Sequence, residues 1–100
     1  MRIQLKKSKR KNKKYKIIFY DEENNDIETV HFGASGMEDF TTHKDKERKQ
    51  RFLNRFKNLI NKNKNNPLSP MTLSHLILWN KPDLNESLKD YAKRFNFIIL

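Results

Sequence analysis

Between Lys14 and Tyr20 (KYKIIFY) apolar and polar positions alternate with a period of two. Tyr15, Ile17 and Phe19 fall on one face and Ile18 and Tyr20 on the other. A second run rich in β-branched and aromatic residues spans Ile27–Phe32 (IETVHF), and the six residues between, Asp21–Asp26, are all polar turn formers. This pattern predicts a β-hairpin with one face against helices and the other half exposed.

The period then changes. Phe52, Leu53, Phe56, Leu59 and Ile60 stand at i, i+1, i+4, i+7 and i+8, the stripe of a helix. Its expected limits are Lys44 and Lys62, with Thr41 or Thr42 as cap and Asp45 in the first turn, where the helix dipole favours an anion. NKNKNN (61–66) reads as a polar linker ended by Pro67. Ser69-Pro70 opens a short apolar helix to Trp79, because proline suits the first helical position. Asn80-Lys81-Pro82 breaks it. Asp83 and Glu86 have capping-box spacing and open a helix to Phe95, with Leu84, Leu88, Tyr91 and Phe95 inward. The closing FIIL is either a last strand beside the hairpin or a tail that faces a partner, and is expected to pack. The fold class is therefore α+β, an N-terminal hairpin packed against about three helices.

Charge divides the chain differently. Residues 1–16 hold nine basic groups and no acid, residues 17–43 seven acids and no base, and residues 44–64 nine bases against Asp45 and Glu47. The formal net charge of +10 is thus matched almost entirely by the first block. Twelve asparagines and sixteen lysines fit an AT-rich coding sequence, but such a bias scatters lysine rather than segregating it. A run of like charge repels itself and stays extended until a polyanion neutralises it. Residues 1–13 are accordingly expected to form a flexible, disordered cationic arm, and residues 14–100 a single small domain. KKSKRKNKK also has the composition of a nuclear-import signal, and a solubilising tail or an internal pairing with the acidic block is a further option.

Candidate chemistry is sparse. There is no cysteine, which removes disulfides and thiolate metal sites and fits a reducing compartment. No apolar run has the length of a membrane span or of a secretion signal. His31, His43 and His75 lack the spacing of a helical metal pair. His43 lies beside Thr41, Thr42 and Asp45, where capping is the simpler use. Gly33 and Gly36, the only glycines, bracket a turn out of the hairpin, and no GK[ST] follows to make a phosphate loop. No cofactor, metal or enzymatic activity is expected.

Two stretches, VHFGASGMEDFTTHKDKERKQRF and PMTLSHLILWNKPDLNESLKDYAKRF, resemble a family of small basic proteins of large DNA viruses of algae and protists. The shared elements are the turn Phe32–Gly36, the segment Thr41–Lys49, the break Leu78–Pro82 and the helix Asp90–Phe95; NKNKNN and His75 depart from the pattern. The resemblance covers about residues 14–96. It implies a viral setting, in the virion or the infected host cell, and brings no activity with it.

The function expected from these patterns is largely non-specific binding of nucleic acid, DNA or RNA. The arm would supply Lys6, Lys7, Lys9, Arg10, Lys11, Lys13 and Lys14, and one helix face Lys44, Arg48, Lys49, Arg51 and Arg55. Tyr15 or Tyr20 would add base stacking. The alternative is a structural virion component, in which the basic arm and acidic hairpin meet virion proteins or other copies of the chain as a homo-oligomer.

Overall fold

The computed structural model describes residues 1–100. Four strands form one sheet in the order β3-β2-β1-β4: β1 Arg2–Lys7, β2 Lys13–Tyr20, β3 Asp26–Ala34 and β4 Ile98–Ile99. Between β3 and β4 come α1 Phe40–His43, α2 Lys46–Arg55, α3 Lys57–Asn63, α4 Pro70–Leu73 and α5 Leu84–Phe95. A π-helical segment, Ser74–Leu78, continues α4. No helix is long and apolar enough to cross a membrane.

The expected disordered arm is not there. Residues 2–7 pair antiparallel with β2 throughout, from Arg2 opposite Tyr20 to Lys7 opposite Tyr15. The reason lies in Ile3 and Leu5. In RIQLKK they alternate with polar neighbours, so one face of a cationic strand is apolar; Ile3 is fully buried and Leu5 packs on the core. Burying an aliphatic side chain is worth about 1.5–3 kcal/mol, more than the repulsion of exposed lysines costs in water. Residues 1–13 thus belong to the fold, and the 13.1 Å radius of gyration is that of a compact chain of this length, about 13 Å.

The hairpin forms as expected. β2 and β3 pair from Lys13–Ala34 to Tyr20–Asp26, with an irregularity between Phe19 and Tyr20. At its tip Asp21 Oδ1 accepts the N–H groups of Glu23 and Asn25, and Asn24 takes a left-handed conformation (φ 63°). The inner face presents Ile3, Ile17, Phe19 and Phe32 to Leu73, Leu76, Ile77, Leu78, Leu88, Tyr91 and Ala92 of the helices. Tyr91, fully buried, donates to the Pro67 carbonyl at 2.7 Å, which ties α5 to the linker; burial pushes its phenol pKa up.

Two helical boundaries move. Lys44 is left-handed (φ 56°) and ends α1, so the following helix starts only at Lys46, capped by Asp45 through the Glu47 and Arg48 amides. That helix also stops at Phe56 (φ −105°, ψ 14°) and resumes as α3. No residue of α2 or α3 is fully buried, so the stripe Phe52–Ile60 is not core. The last helix runs as expected from the Asp83 cap, which accepts from Glu86 N. Asn96 ends it in the left-handed region, and Phe97 turns inward against Phe19, Tyr91 and Phe95. β4 then lies beside β1, parallel to it, and not beside either strand of the β2–β3 hairpin; of the tail expected to pack, only Phe97 does, while Ile98, Ile99 and Leu100 are exposed.

Candidate nucleic-acid interface

β2 is shared by two hairpins, so their turns lie at opposite ends of the sheet. The β1–β2 turn, Ser8–Asn12, carries Lys9, Arg10 and Lys11; the β2–β3 turn carries Asp21, Glu22 and Glu23. Along the eight residues of β2 the separation is roughly 23 Å, nearly three Debye lengths at physiological salt. The acidic turn therefore does not neutralise the cationic one within the molecule.

The cationic turn is built, not loose. Ser8 N donates to Lys14 O, Arg10 N to the Ser8 hydroxyl, and Asn12 (φ 71°) supplies the left-handed corner. Ser35 N donates to Asn12 O, which fixes this turn beside the segment leaving β3. On the outer sheet face the register puts Lys6 opposite Lys16 and Lys16 opposite His31, one cross-strand row with no acid in it. Like groups directly opposite destabilise a sheet. The positive potential shows in His31, whose pKa is lowered by desolvation first and then by Arg10, Lys16 and Lys13. Its Nδ1 lies 2.7 Å from the Ser8 hydroxyl.

Next to this turn is a cleft of about 710 Å³, between the end of β3, the loop 35–39, α2 and the end of the π segment. Arg48, Arg51 and Arg55 line it because i, i+3 and i+7 share a helix face. Phe52 and Phe56, from the same side of the helix, line it with Leu78 and Trp79. Phe52 and Trp79 are stacked, 4.4 Å between centroids and 3° between planes, and the Arg55 guanidinium lies 5.2 Å from the Phe56 centroid. Gly33 and Gly36 both have φ 80°; at Gly33 a Cβ would stand 2.8 Å from Leu78 Cδ1, so glycine lets β3 close against the π segment.

The predicted contact residues separate into two groups. Lys14 is engaged: its ammonium lies 2.6 Å from both Asp39 Oδ2 and the Met37 carbonyl. Asp39, 2% exposed, caps α1 by accepting from Thr41 N and from the Thr41 hydroxyl, while its own N–H donates to Thr42 Oγ1. Lys44 donates to the Thr41 and Pro82 carbonyls. Lys49 donates to Asn80 O and stands over the Phe40 ring, and burial lowers its pKa. These three cations fasten loops. Arg48 is loosely paired with Glu38 at 3.9 Å. Lys6, Lys7, Lys9, Arg10, Lys11, Lys13, Arg51 and Arg55 have no ion pair. Tyr15 is packed on Phe32 rather than free for stacking, and Tyr20 donates to Gln4 Oε1. The aromatics that line the cleft, Phe52, Phe56 and Trp79, belong to the apolar stretches of the sequence; the interleaving of Arg48, Phe52 and Phe56 with Arg51 and Arg55 is the signal for a mixed face.

The histidines stay apart. His43 lies between Phe40 and Trp79, its Nδ1 accepting from Asp45 N and its buried Nε2 left without a partner. It does not line the cleft, and no three histidine or acidic side chains gather in a metal-binding group.

Residues 3–56, more than half of the chain, match the model of a family described as "Family of unknown function (DUF5754)". The chain belongs to that family. The matched segment contains β1 from Ile3, β2, β3, α1 and α2, and with them every residue expected from the sequence to contact nucleic acid. No curated protein and no solved structure matches the chain.

Proposed function

We propose that this protein binds nucleic acid through the folded cationic end of its sheet together with the arginine face of α2. The observation that carries the reading is the convergence of unpaired charge. Lys9, Arg10 and Lys11 in the turn and Lys13 at the start of β2 are linked to the cleft that holds Arg51 and Arg55 through the Ser35–Asn12 hydrogen bond and the pairing of Lys13 with Ala34, which lines the cleft. An uncompensated cationic patch costs folding energy and is stabilised when phosphates displace counter-ions. Contacts of this kind position a strand and do not read its sequence, so binding is largely non-specific. The resemblance of the turn, break and last helix to proteins of large DNA viruses supports a viral accessory role, in the virion or the infected cell.

With about six phosphate contacts, affinity falls roughly a thousandfold between about 50 and 200 mM salt. Electrophoretic shifts across that range test the reading. Lys9→Ala/Arg10→Ala/Lys11→Ala flattens the salt dependence by about one unit of slope per lost contact. Absence of binding at low salt overturns the proposal.

A second reading is a structural virion component. It is favoured by one observation, the placement of the acidic and cationic turns at opposite ends of the sheet, which suits head-to-tail contact between copies. Salt-sensitive self-association that survives nuclease treatment would favour this reading over the first.

A further inference from the structure

The arginine cleft differs in kind from the cationic turn. The turn offers charge alone; the cleft adds aromatic surface that a phosphate has no use for. We propose that it is a nucleotide pocket, which takes one unstacked base of a single strand against Phe56 and the Phe52–Trp79 stack and its phosphate on Arg51 and Arg55. This rests on the nucleic-acid reading above and specifies which form of the polymer is bound.

Four observations support it. The volume, about 710 Å³, lies in the range of small-molecule sites, about 300–1,000 Å³. Arg51 and Arg55 share a helix face with Arg48, and like charges at this spacing destabilise a helix; the one ion pair on that face is Arg48 with Glu38, at 3.9 Å, while Asp45 and Glu47 lie near Arg51 without closing a salt bridge. The other carboxylate in the cleft, Asp39, is already held by Lys14 and the α1 cap, and Arg51 and Arg55 form no ion pair, which leaves their guanidinium groups open to an anion. Finally, α2 has no buried residue, although it carries Phe52 and ends on Phe56. Aromatic rings left half-exposed beside guanidinium groups match a base with its phosphate, since every base has a π face and stacking tolerates any sequence. A paired base lies inside its duplex and cannot enter; only an unstacked one presents its face.

Trp79 is the only tryptophan in the chain, so its emission reports the cleft directly. The full-length protein is titrated with oligothymidylate, with an abasic strand of equal length and charge, with a duplex, and with polyglutamate. The single strand is expected to quench Trp79 saturably and to bind at least about tenfold tighter than the abasic strand. Phe56→Ala removes that preference and leaves the affinity for the abasic strand unchanged; Arg55→Gln weakens the base-bearing strand with the fold intact by circular dichroism. Equal affinity for the abasic strand, tighter duplex binding, or the same quenching by polyglutamate would each overturn the pocket. Nucleic-acid binding without any Trp79 response sinks the pocket alone, whereas no binding of any nucleic acid sinks the nucleic-acid reading with it.

Discussion

Gly33 and Gly36 share one backbone conformation, φ 80°, and differ in surroundings. At Gly36 a methyl group meets nothing within 4 Å, so Gly36→Ala carries only the backbone penalty, about 1 kcal/mol. At Gly33 the same methyl stands 2.8 Å from Leu78 and 3.2 Å from Lys14 Cβ, and Leu78 is core. Gly33→Ala is expected to cost about 2–3 kcal/mol more in urea denaturation, and to widen the cleft at Trp79. Asp39 is the other residue with consequences beyond itself. Asp39→Ala leaves the Lys14 ammonium uncompensated and α1 uncapped, and should lower stability by about 2–4 kcal/mol. Neither role is visible from the residue alone: glycine reads as a turn, and Asp39 as one acid in an acidic block.

At the scale of elements the decisive one is β1. It sits between β2 and β4, so its removal exposes one edge of the hairpin and leaves β4 without its only neighbour. Deletion of residues 1–7 is expected to abolish cooperative unfolding and collapse the amide proton dispersion in NMR spectra; an arm could be removed without either effect. Ile3→Ala tests the same point more gently, at about 2–4 kcal/mol, a large part of the roughly 5–15 kcal/mol that holds a domain together. Helix α2 behaves in the opposite way. Arg55→Ala relieves like-charge repulsion with Arg51, so the thermal midpoint should hold while nucleic-acid affinity falls. The hairpin, the Pro70 start and the Asp83 cap were legible in the sequence because each rests on contacts within a few residues. The α2–α3 break was not: nothing in the local pattern stops a helix at Phe56.

For the whole molecule, pH separates stability from binding. His31 and His75 both have pKa values lowered from 6.5, each by desolvation first; Arg10, Lys16 and Lys13 add to it at His31, and Arg94 and Lys49 at His75. The unfolded chain therefore binds more protons than the folded one below about pH 6.5. The histidine contribution to stability should be level above that value, fall as pH drops through it, and level again below the folded pKa values, before the lowered carboxylates Asp21, Asp45 and Asp90 begin to lose theirs. Urea midpoints across this range measure it. Polyanion binding should respond in the other direction. Phosphates beside Lys16 and Arg10 raise the His31 pKa, so binding takes up a proton and affinity increases as pH falls between the bound and the free His31 pKa. His31→Gln should remove most of that increase.

The sequence by itself determined the class of the fold, the hairpin, two of the helix starts (Pro70 and Leu84) and the separation of charge into blocks, because these follow from side-chain period, capping and composition. Tertiary structure alone decided that the first block is a strand rather than an arm, since two apolar residues among nine cations acquire their weight only when β2 and the helices bury them. It also decided which cations are engaged and which are free. Lys14, Lys44 and Lys49 are consumed by groups 25, 38 and 31 residues away, and pairing over such distances depends on the closed fold, not on neighbours in the chain.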